Sequence, residues 1–264
     1  MSDEDRCILV ETLDQRIGMI TFNRSAKRNA LSKAFLEDVR ATLEGFRQSG
    51  VRVVILRAAS AARVWSAGHD VADLPRGHVD PLGYDDPLEM TLRAVQRFPG
   101  PVIAMVTGAV WGGACDLAMT CDIAIGDPTS SFCMTPARLG VPYNASGLIH
   151  FIGRVGLNIA KEMFFTASPI DAQRAANLGL LNHLVEADEL ESFTLAMARQ
   201  IASLSGAAIE VIKEQFRVLT MTRPLPVETF ERIHALRAKV YNSHDYSEAI
   251  QAFLEKRPPR FTGN

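Results

Sequence analysis

The sequence has few of the features that mark secreted, membrane-spanning or nucleic-acid-binding proteins. Its 264 residues contain only four cysteines, without a Cys-x-x-Cys pair, so neither a disulfide framework nor a zinc ribbon is predicted. No apolar run has the length of a transmembrane helix. The 28 basic and 30 acidic residues nearly cancel, which argues against nucleic-acid binding. The N-terminus is acidic and polar, unlike a signal peptide, and we expect a cytoplasmic protein with free thiols.

The first half of the chain has the pattern of alternating strands and helices. Ser32 is expected to cap a helix, because apolar residues follow it at helical spacing from Leu36 to Phe46. The predicted strands are Cys7–Leu13 and Ile17–Phe22, which meet at Asp14-Gln15, then Val51–Leu56, Pro101–Val106, Cys121–Ile125 and Ser131–Met134. Short apolar strands separated by helices predict an α/β fold with a parallel sheet.

The second half is predicted to be helical. Apolar stripes at helical spacing follow one another with a break near Ser205-Gly206, and Pro224 and Pro226 interrupt the chain. The stripes are Leu190, Phe193, Met197, Ile201 and Leu204; Ile209, Ile212, Phe216 and Leu219; Phe230, Ile233 and Val240; and Tyr246, Ile250 and Phe253. The last helices are expected to cover either the core or a neighbouring subunit. Within the first half, Asp73–Pro87 is predicted to be a long loop of the kind that often binds ligands.

Two glycine-containing segments each follow a predicted strand. They are Ser66–Val71, with the sequence SAGHDV, and Gly108–Leu117, with the sequence GAVWGGACDL. Gly113 is expected at a helix N-terminus, where its amide would point outward and suit an oxyanion. An ordinary strand-to-helix turn explains the glycines equally well. The segments match neither a phosphate-binding loop nor a dinucleotide-binding fingerprint.

The order and separation of SAGHD and WGGACDLAMTCDIAIG resemble the crotonase (enoyl-CoA hydratase/isomerase) superfamily, as does Asn23–Ser32, which matches the region near the CoA adenine. The resemblance implies a spiral of β-β-α units over residues 1–200, a C-terminal helical region over 201–264, and homotrimers or dimers of trimers. It places the two amides that would bind the thioester oxygen on His69 and Gly113. It also implies that the CoA thioester contacts the first loop, at Ala67, Gly68, Asp70 and Val71.

Further strings resemble the methylmalonyl-CoA decarboxylases of that superfamily: SAGHDVADLP, DPLGYDDPL, MTPARLGVPYN, FTASPI and AFLEKR. In those enzymes the tyrosine that matches Tyr143 faces the substrate carboxylate. By the same resemblance Lys256 would contact a CoA phosphate, and Thr135 would line the site. Tyr143 could otherwise be a core aromatic residue, and Lys256 a solvated helix end.

The hydratase reaction of the superfamily uses two carboxylates around one water, and only one of those positions is acidic here. Asp116 stands where the family has glutamate, and Ala137 stands at the second position. Alanine cannot be a general base, so hydratase activity is not expected. Asp116 is one methylene shorter than glutamate. It could act on the substrate or only complement the helix dipole.

Histidine gives little further information. The His69 side chain could be a bystander, a partner of Asp70 or a contact for the carboxylate. No second histidine accompanies it at metal-ligand spacing, so no metal site is predicted. No function is assigned to the remaining histidines, which are His78, His150, His183, His234 and His244.

The expected reaction is therefore decarboxylation of methylmalonyl-CoA to propionyl-CoA without a metal or another cofactor. The amides of His69 and Gly113 would stabilise the thioester enolate. Three alternatives stay open. They are a decarboxylase for another 2-alkylmalonyl-CoA, an isomerase or hydratase of the same superfamily, with Asp116 as the only base of an isomerase, and a CoA-binding protein without activity.

Overall fold

Three strand–strand–helix units form the centre of the fold, and each contributes one strand to each of two sheets. The computed structural model describes residues 6–59, 62–75, 79–220 and 226–263. The strands within these ranges are β1 Ile8–Leu13, β2 Ile17–Phe22, β3 Val53–Ala58, β4 Val64–Ser66, β5 Val102–Val106, β6 Ala109–Trp111, β7 Ile123–Gly126, β8 Ser131–Cys133, β9 Ile170–Asp171 and β10 His183–Leu184. The helices are α1 Lys33–Gln48, α2 Pro87–Arg97, α3 Gly113–Thr120, α4 Ala145–Thr166, α5 Ala172–Asn177, α6 Leu190–Ser203, α7 Gly206–Thr220, α8 Val227–Tyr241 and α9 His244–Leu254.

The larger sheet has the strand order β1-β2-β3-β5-β7-β10, and the smaller sheet has the order β4-β6-β8-β9. In the larger sheet only the β1–β2 hairpin is antiparallel, and the remaining pairs are parallel. The chain passes from β3 to β4, from β5 to β6 and from β7 to β8, and a helix follows each pair. This repeated β-β-α connection is the spiral that the resemblance implied.

Local sequence signals explain the first elements. Asp14 and Gln15 both have positive φ angles, 52° and 58°, which are typical of a two-residue hairpin turn between twisted strands. Ser32 caps α1 as predicted, because its side chain accepts a hydrogen bond from the amide of Phe35.

The larger sheet is buried on both faces, so its strands are apolar throughout. In β3, Val54 and Leu56 pack into a core formed with α1 to α4. Val53 and Ile55 face the opposite side and pack with residues of α6. At the C-terminal end of the chain, α9 packs through Tyr246 and Ile250 on Val71 and its neighbours. That contact brings α9 to the first of the two glycine-containing loops.

The sequence predictions of secondary structure are mostly confirmed, with shifts of one or two residues at the strand ends. The strand predicted at Val51–Leu56 lies at Val53–Ala58, because β3 pairs with β2 in a register that sets Val53 opposite Ile17. The strand predicted at Cys121–Ile125 is Ile123–Gly126. The predicted loop ends at Pro87, the first residue of α2, and its residues 76–78 lie outside the described ranges. Pro224 and His78 also lie outside them.

No single helix of the described residues has both the length and the hydropathy to cross a bilayer. Helices α6 and α7 meet the length and hydropathy criteria only when they are taken together, and the two helices are bent against each other by 104°. The division of the chain at residue 200 stays a prediction.

Candidate active site

The two glycine-containing loops lie side by side at the ends of β4 and β6, two parallel neighbours in the smaller sheet. A Cβ atom built on Gly68 would lie 3.1 Å from the amide nitrogen of Gly113 and 2.3 Å from the carbonyl oxygen of Trp111. A Cβ atom built on Gly113 would lie 3.7 Å from the amide nitrogen of His69. The two amides that the sequence assigned to the thioester oxygen are therefore neighbours in space.

Both amides are free to bind a ligand. His69 forms an isolated parallel bridge with Leu31, in which the amide of Leu31 donates to the carbonyl of Gly68 and the amide of Asp70 donates to the carbonyl of Leu31. The amide of His69 lies between these two bonds and faces the other way. Gly113 is the first residue of α3, where amides have no intrahelical acceptor. Neither amide donates a hydrogen bond to another described residue.

Positions 68 and 113 both require glycine, because neighbouring atoms approach their backbone too closely for a side chain. Gly68 has a φ angle of +84°, and any side chain there would meet the backbone of the second loop. A side chain on Gly113 would meet Leu88 of α2, whose Cδ2 atom lies 2.6 Å from the ideal Cβ position. Leu88 is itself 1% exposed. It therefore forms an apolar wall against the Gly113 amide.

One turn along α3, the side chain of Asp116 is held from two sides. The hydroxyl of Tyr143 donates to its Oδ2 atom over 2.7 Å, and Nδ1 of His150 lies 3.0 Å from its Oδ1 atom. Asp116 is fully buried. Both carboxylate oxygens are thus engaged by neighbouring side chains, and the shorter aspartate still reaches the tyrosine.

The hydrogen-bond network continues beyond His150. Its second ring nitrogen, Nε2, lies 2.9 Å from Nε2 of Gln96 in α2. Glu89, also in α2 and 7% exposed, accepts a hydrogen bond from the Ser146 hydroxyl over 3.1 Å. No sequence motif pointed to His150 or to α2, so this part of the site was not predicted from the sequence.

Burial and neighbouring charge shift the pKa values of this network. Burial, reinforced by the carboxylates of Asp116 and Glu89, raises the pKa of Tyr143 well above its ordinary value. Burial raises the pKa of Glu89, although its hydrogen bonds oppose the shift. Burial alone would lower the pKa of His150, but the hydrogen bond to Asp116 and the charges of both carboxylates outweigh it and raise the pKa.

The side chain of His69 does not pair with Asp70. Its Nδ1 atom is buried without a hydrogen-bond partner among the described residues, and the Asp70 carboxylate accepts from the amide of Ala72. Asp86, the cap of α2, has its pKa raised by burial, and its electrostatic interaction with His69 opposes this shift. A contact of the His69 side chain with the substrate carboxylate stays a prediction.

The other predicted binding residues divide into two groups. Ala67, whose amide donates to Arg28, lies in the first loop with Gly68, Asp70 and the buried Val71. Thr135 lies beside the second loop, with its Oγ1 atom 2.9 Å from the ideal Cβ position of Gly112. Lys256 is exposed after α9, and no hydrogen bond or ion pair joins its side chain to the other described residues. Its predicted contact with a CoA phosphate stays a prediction.

The four cysteines are free, and Cys115, Cys121 and Cys133 are buried. Burial raises the pKa of each of these three thiols, so they are unsuited to nucleophilic chemistry. The described residues contain no group of three or more histidine, cysteine, aspartate and glutamate side chains that could hold a metal ion.

Comparison with known proteins agrees with this geometry. Residues 12–264 match the family model described as enoyl-CoA hydratase/isomerase. The chain belongs to that family. Within the enoyl-CoA hydratase/isomerase family, it is 49% identical to methylmalonyl-CoA decarboxylase of Escherichia coli (strain K12), with 94% of this chain and 95% of the relative covered. It is 30% identical to a probable enoyl-CoA hydratase of Rhodobacter capsulatus, with 95% and 96% covered.

Solved structures show the same relation. Methylmalonyl-CoA decarboxylase in complex with 2-nitronate-propionyl-CoA has a TM-score of 0.95 and 48% identity to this chain, covering 98% of this chain and 99% of that one. The same enzyme complexed with 2S-carboxypropyl CoA gives the same four values. The resemblance and the fold predicted from the sequence are thereby confirmed.

Proposed function

We propose that this protein is a carboxy-lyase that converts methylmalonyl-CoA into propionyl-CoA and carbon dioxide. One observation carries the proposal. The free amides of His69 and Gly113 are neighbours, and Gly113 lies one helical turn before the fully buried Asp116, which accepts a hydrogen bond from the half-buried Tyr143, in a chain that resembles methylmalonyl-CoA decarboxylase over almost its whole length.

The reaction needs an electron sink, and the thioester carbonyl of the substrate is one. When the bond between C2 and the carboxylate breaks, its electron pair moves into the thioester, and negative charge develops on the carbonyl oxygen. Two fixed amides bind that oxygen more strongly as its charge grows, so they lower the barrier. Loss of one such donor typically costs about 10²–10³ in turnover. No further cofactor is required by this chemistry.

Tyr143 is the residue proposed to orient the substrate carboxylate across the thioester plane. Only in that orientation does the breaking bond overlap the carbonyl system. Leu88, against Gly113, contributes an apolar wall that limits access of water to the enolate. An apolar environment disfavours the charged carboxylate relative to neutral carbon dioxide, so it favours the decarboxylated state.

The site is poorly suited to hydration or isomerisation. Ala137, at the position of the second hydratase carboxylate, is exposed and carries no base. Asp116 is fully buried and both of its oxygens are engaged by Tyr143 and His150, so it is not free to remove a carbon-bound proton from a substrate.

The test is incubation of the purified protein with methylmalonyl-CoA, without added metal or cofactor, followed by mass analysis. Propionyl-CoA is expected at a catalytic rate. A parallel reaction with crotonyl-CoA tests the hydratase alternative, and a series of 2-alkylmalonyl-CoA esters tests substrate choice. Hydration of crotonyl-CoA without formation of propionyl-CoA would refute the proposal. CoA binding without turnover of any ester would favour the non-catalytic alternative.

Substitution of Tyr143 by phenylalanine tests the orientation of the carboxylate. Tyr143→Phe keeps the ring, which packs 5.1 Å from that of Phe164, and removes only the hydroxyl. We expect kcat for methylmalonyl-CoA to fall on the order of 10², the scale on which a misplaced reacting group lowers turnover. Binding of propionyl-CoA, which has no free carboxylate, should change little. Equal loss of turnover and product binding would show that the tyrosine only shapes the site.

We also propose that the protein is cytoplasmic and assembles into trimers or dimers of trimers. The exposed apolar face of α7 supports assembly. Val211, Ile212, Phe216 and Leu219 are each at least half exposed in the single chain, with Phe216 and Leu219 at 66%. An apolar face of this kind is typical of a subunit interface.

A further inference from the structure

The reaction proposed above consumes one proton for each carbon dioxide released, because the enolate must be protonated at C2. The following inference rests on that proposed function and concerns the source of the proton. Asp116 lies one turn after Gly113 on α3, and it shares hydrogen bonds with two further side chains, those of Tyr143 and His150. They lead from the fully buried Asp116 to a histidine whose side chain is 23% exposed.

The direction of the Tyr143–Asp116 hydrogen bond limits what Tyr143 can do. A tyrosine hydroxyl has one proton, and an ionised Asp116 can only accept it. In that state Tyr143 presents lone pairs, and no proton, to an incoming carboxylate. Tyr143 can donate to the substrate only when Asp116 carries a proton on Oδ2 and donates it to the tyrosine oxygen. Substrate binding by Tyr143 is thus linked to uptake of one proton.

His150 is placed to supply that proton. Its Nδ1 atom contacts Oδ1 of Asp116, and its Nε2 atom faces the amide of Gln96. A glutamine amide can serve either charge state of the ring, because its NH₂ group donates to a neutral nitrogen and its oxygen, after a flip, accepts from an imidazolium. The solvent-exposed part of the side chain allows it to be protonated again.

The charges around His150 favour its protonated form. Asp116 faces it from α3 and Glu89 faces it from α2, and both raise its pKa against the opposing effect of burial. Histidine already titrates near neutral pH, so a raised pKa leaves a proton available under ordinary conditions. The hydrogen bonds connect His150 to Tyr143 through Asp116, and the neighbouring carboxylates favour the protonated form of His150.

We propose that His150 provides the proton of each turnover and that Asp116 and Tyr143 pass it to C2 of the enolate. His150 transfers its Nδ1 proton to Oδ1 of Asp116, and the carboxyl group turns about its Cβ–Cγ bond, so that the protonated oxygen takes the place of Oδ2 beside Tyr143. Asp116 then donates to the tyrosine oxygen, and Tyr143 donates to the substrate carboxylate.

After carbon dioxide leaves, the Tyr143 proton moves to C2, and the proton of Asp116 moves to the tyrosine oxygen. This returns the hydrogen bond present in the structure, in which the Tyr143 hydroxyl donates to Asp116. The neutral His150 then takes a proton from solvent. One proton enters and one carbon–hydrogen bond forms, so the cycle balances. His150 acts through Asp116 and is a positioning and proton-supplying residue that does not itself touch the substrate.

The test compares the wild-type protein with His150→Asn in deuterium oxide. Asparagine keeps a hydrogen-bond donor and cannot store a proton. The wild type should form propionyl-CoA with one deuterium at C2 in mainly one configuration, because the donor lies on one face, and its kcat should fall as the pH rises through the pKa of His150. We expect His150→Asn to lose at least about tenfold in kcat, with KM within about twofold, no such pH dependence, and a mixture of configurations.

The matched control is His183→Asn, at an exposed histidine of β10 whose ring packs on Phe193. It should retain the wild-type rate, pH profile and configuration. His150→Gln serves as a second variant if His150→Asn does not fold. If the wild type forms propionyl-CoA and the His150 variants have the same kcat, pH profile and product configuration, the proton role of His150 is refuted and the proposed function is not. Absence of propionyl-CoA from the wild-type reaction would refute the proposed function itself, and the proton path with it.

Discussion

At the scale of single residues, the network around Asp116 explains how an aspartate can replace the longer glutamate of the family. Its fixed position comes from two partners, Tyr143 and His150, which bind different oxygens of the same carboxylate. The shorter side chain reaches the tyrosine because His150 lies on α4 and Tyr143 lies two residues before that helix. The sequence left open whether the shorter Asp116 reaches into the site. The answer depends on the partners that hold its carboxylate and not on the length of its side chain alone.

A second buried carboxylate, Glu89, leads to a prediction about stability. Its pKa is raised by burial, so the folded protein binds this proton more tightly than the unfolded chain does. The contribution to the free energy of unfolding is then largest below the ordinary pKa of about 4.5 and is lost as the pH rises through the raised value. Glu89→Gln should remove this loss. The free energy of unfolding of the variant minus that of the wild type should therefore be more positive at neutral pH than at pH 4.

Denaturant unfolding at a series of pH values measures this difference. The matched control is Glu11→Gln, at an exposed position of β1, which should follow the wild-type curve within about 0.5 kcal/mol. Parallel curves for the wild type and Glu89→Gln would show that burial of the carboxylate does not lower stability.

At the scale of elements, the site depends on how closely two loops approach. Gly68 allows the first loop to pass beside the carbonyl of Trp111 and the amide of Gly113. Local patterns in the sequence predicted the two glycine-containing loops, the helix that starts at Gly113 and most of the strands. It did not predict α2, although Leu88, Leu92 and Val95 have helical spacing after Pro87.

Gly68→Ala tests this approach. The added methyl group would lie 2.3 Å from the carbonyl oxygen of Trp111, and the backbone there has a φ angle of +84°. We expect a loss of about 1–3 kcal/mol in the free energy of unfolding. We also expect a loss on the order of 10² in kcat, because the loops must separate and one amide moves from the thioester oxygen.

The control is Gly45→Ala in α1, where no atom lies within 4 Å of the ideal Cβ position. It should keep full activity and gain up to about 1 kcal/mol from helix propensity. Unchanged turnover in a folded Gly68→Ala protein would contradict the assignment of the two amides.

At the scale of the whole molecule, the exposed apolar face of α7 is the surface that the proposed assembly would cover. The sequence could not decide whether this stripe covers the core or another subunit, since both uses give the same spacing of apolar residues. The structure shows that the single chain leaves it uncovered. The contact of His150 with Asp116 was equally hidden, because 34 residues separate them and only the packing of α4 against α3 brings them together.

Phe216→Glu tests assembly through this face. Placing a charge at a position that is 66% exposed in the single chain should not disturb its fold, but it should weaken a buried interface. Sedimentation should show a shift from the assembled mass towards the 28.9 kDa of one chain. Gln215→Glu, an exposed neighbour on the same helix, adds the same charge and should leave assembly intact. Equal masses for both variants and the wild type would exclude α7 from the interface.

The isolated bridge between Leu31 and His69 also has a consequence for how such a site can change. In a parallel bridge the direction of each amide is fixed by the backbone, so the donor at residue 69 is independent of the side chain that residue carries. Every amino acid other than proline would present the same N–H group to the oxygen. A change of side chain at position 69 therefore leaves the backbone donor to the thioester oxygen in place.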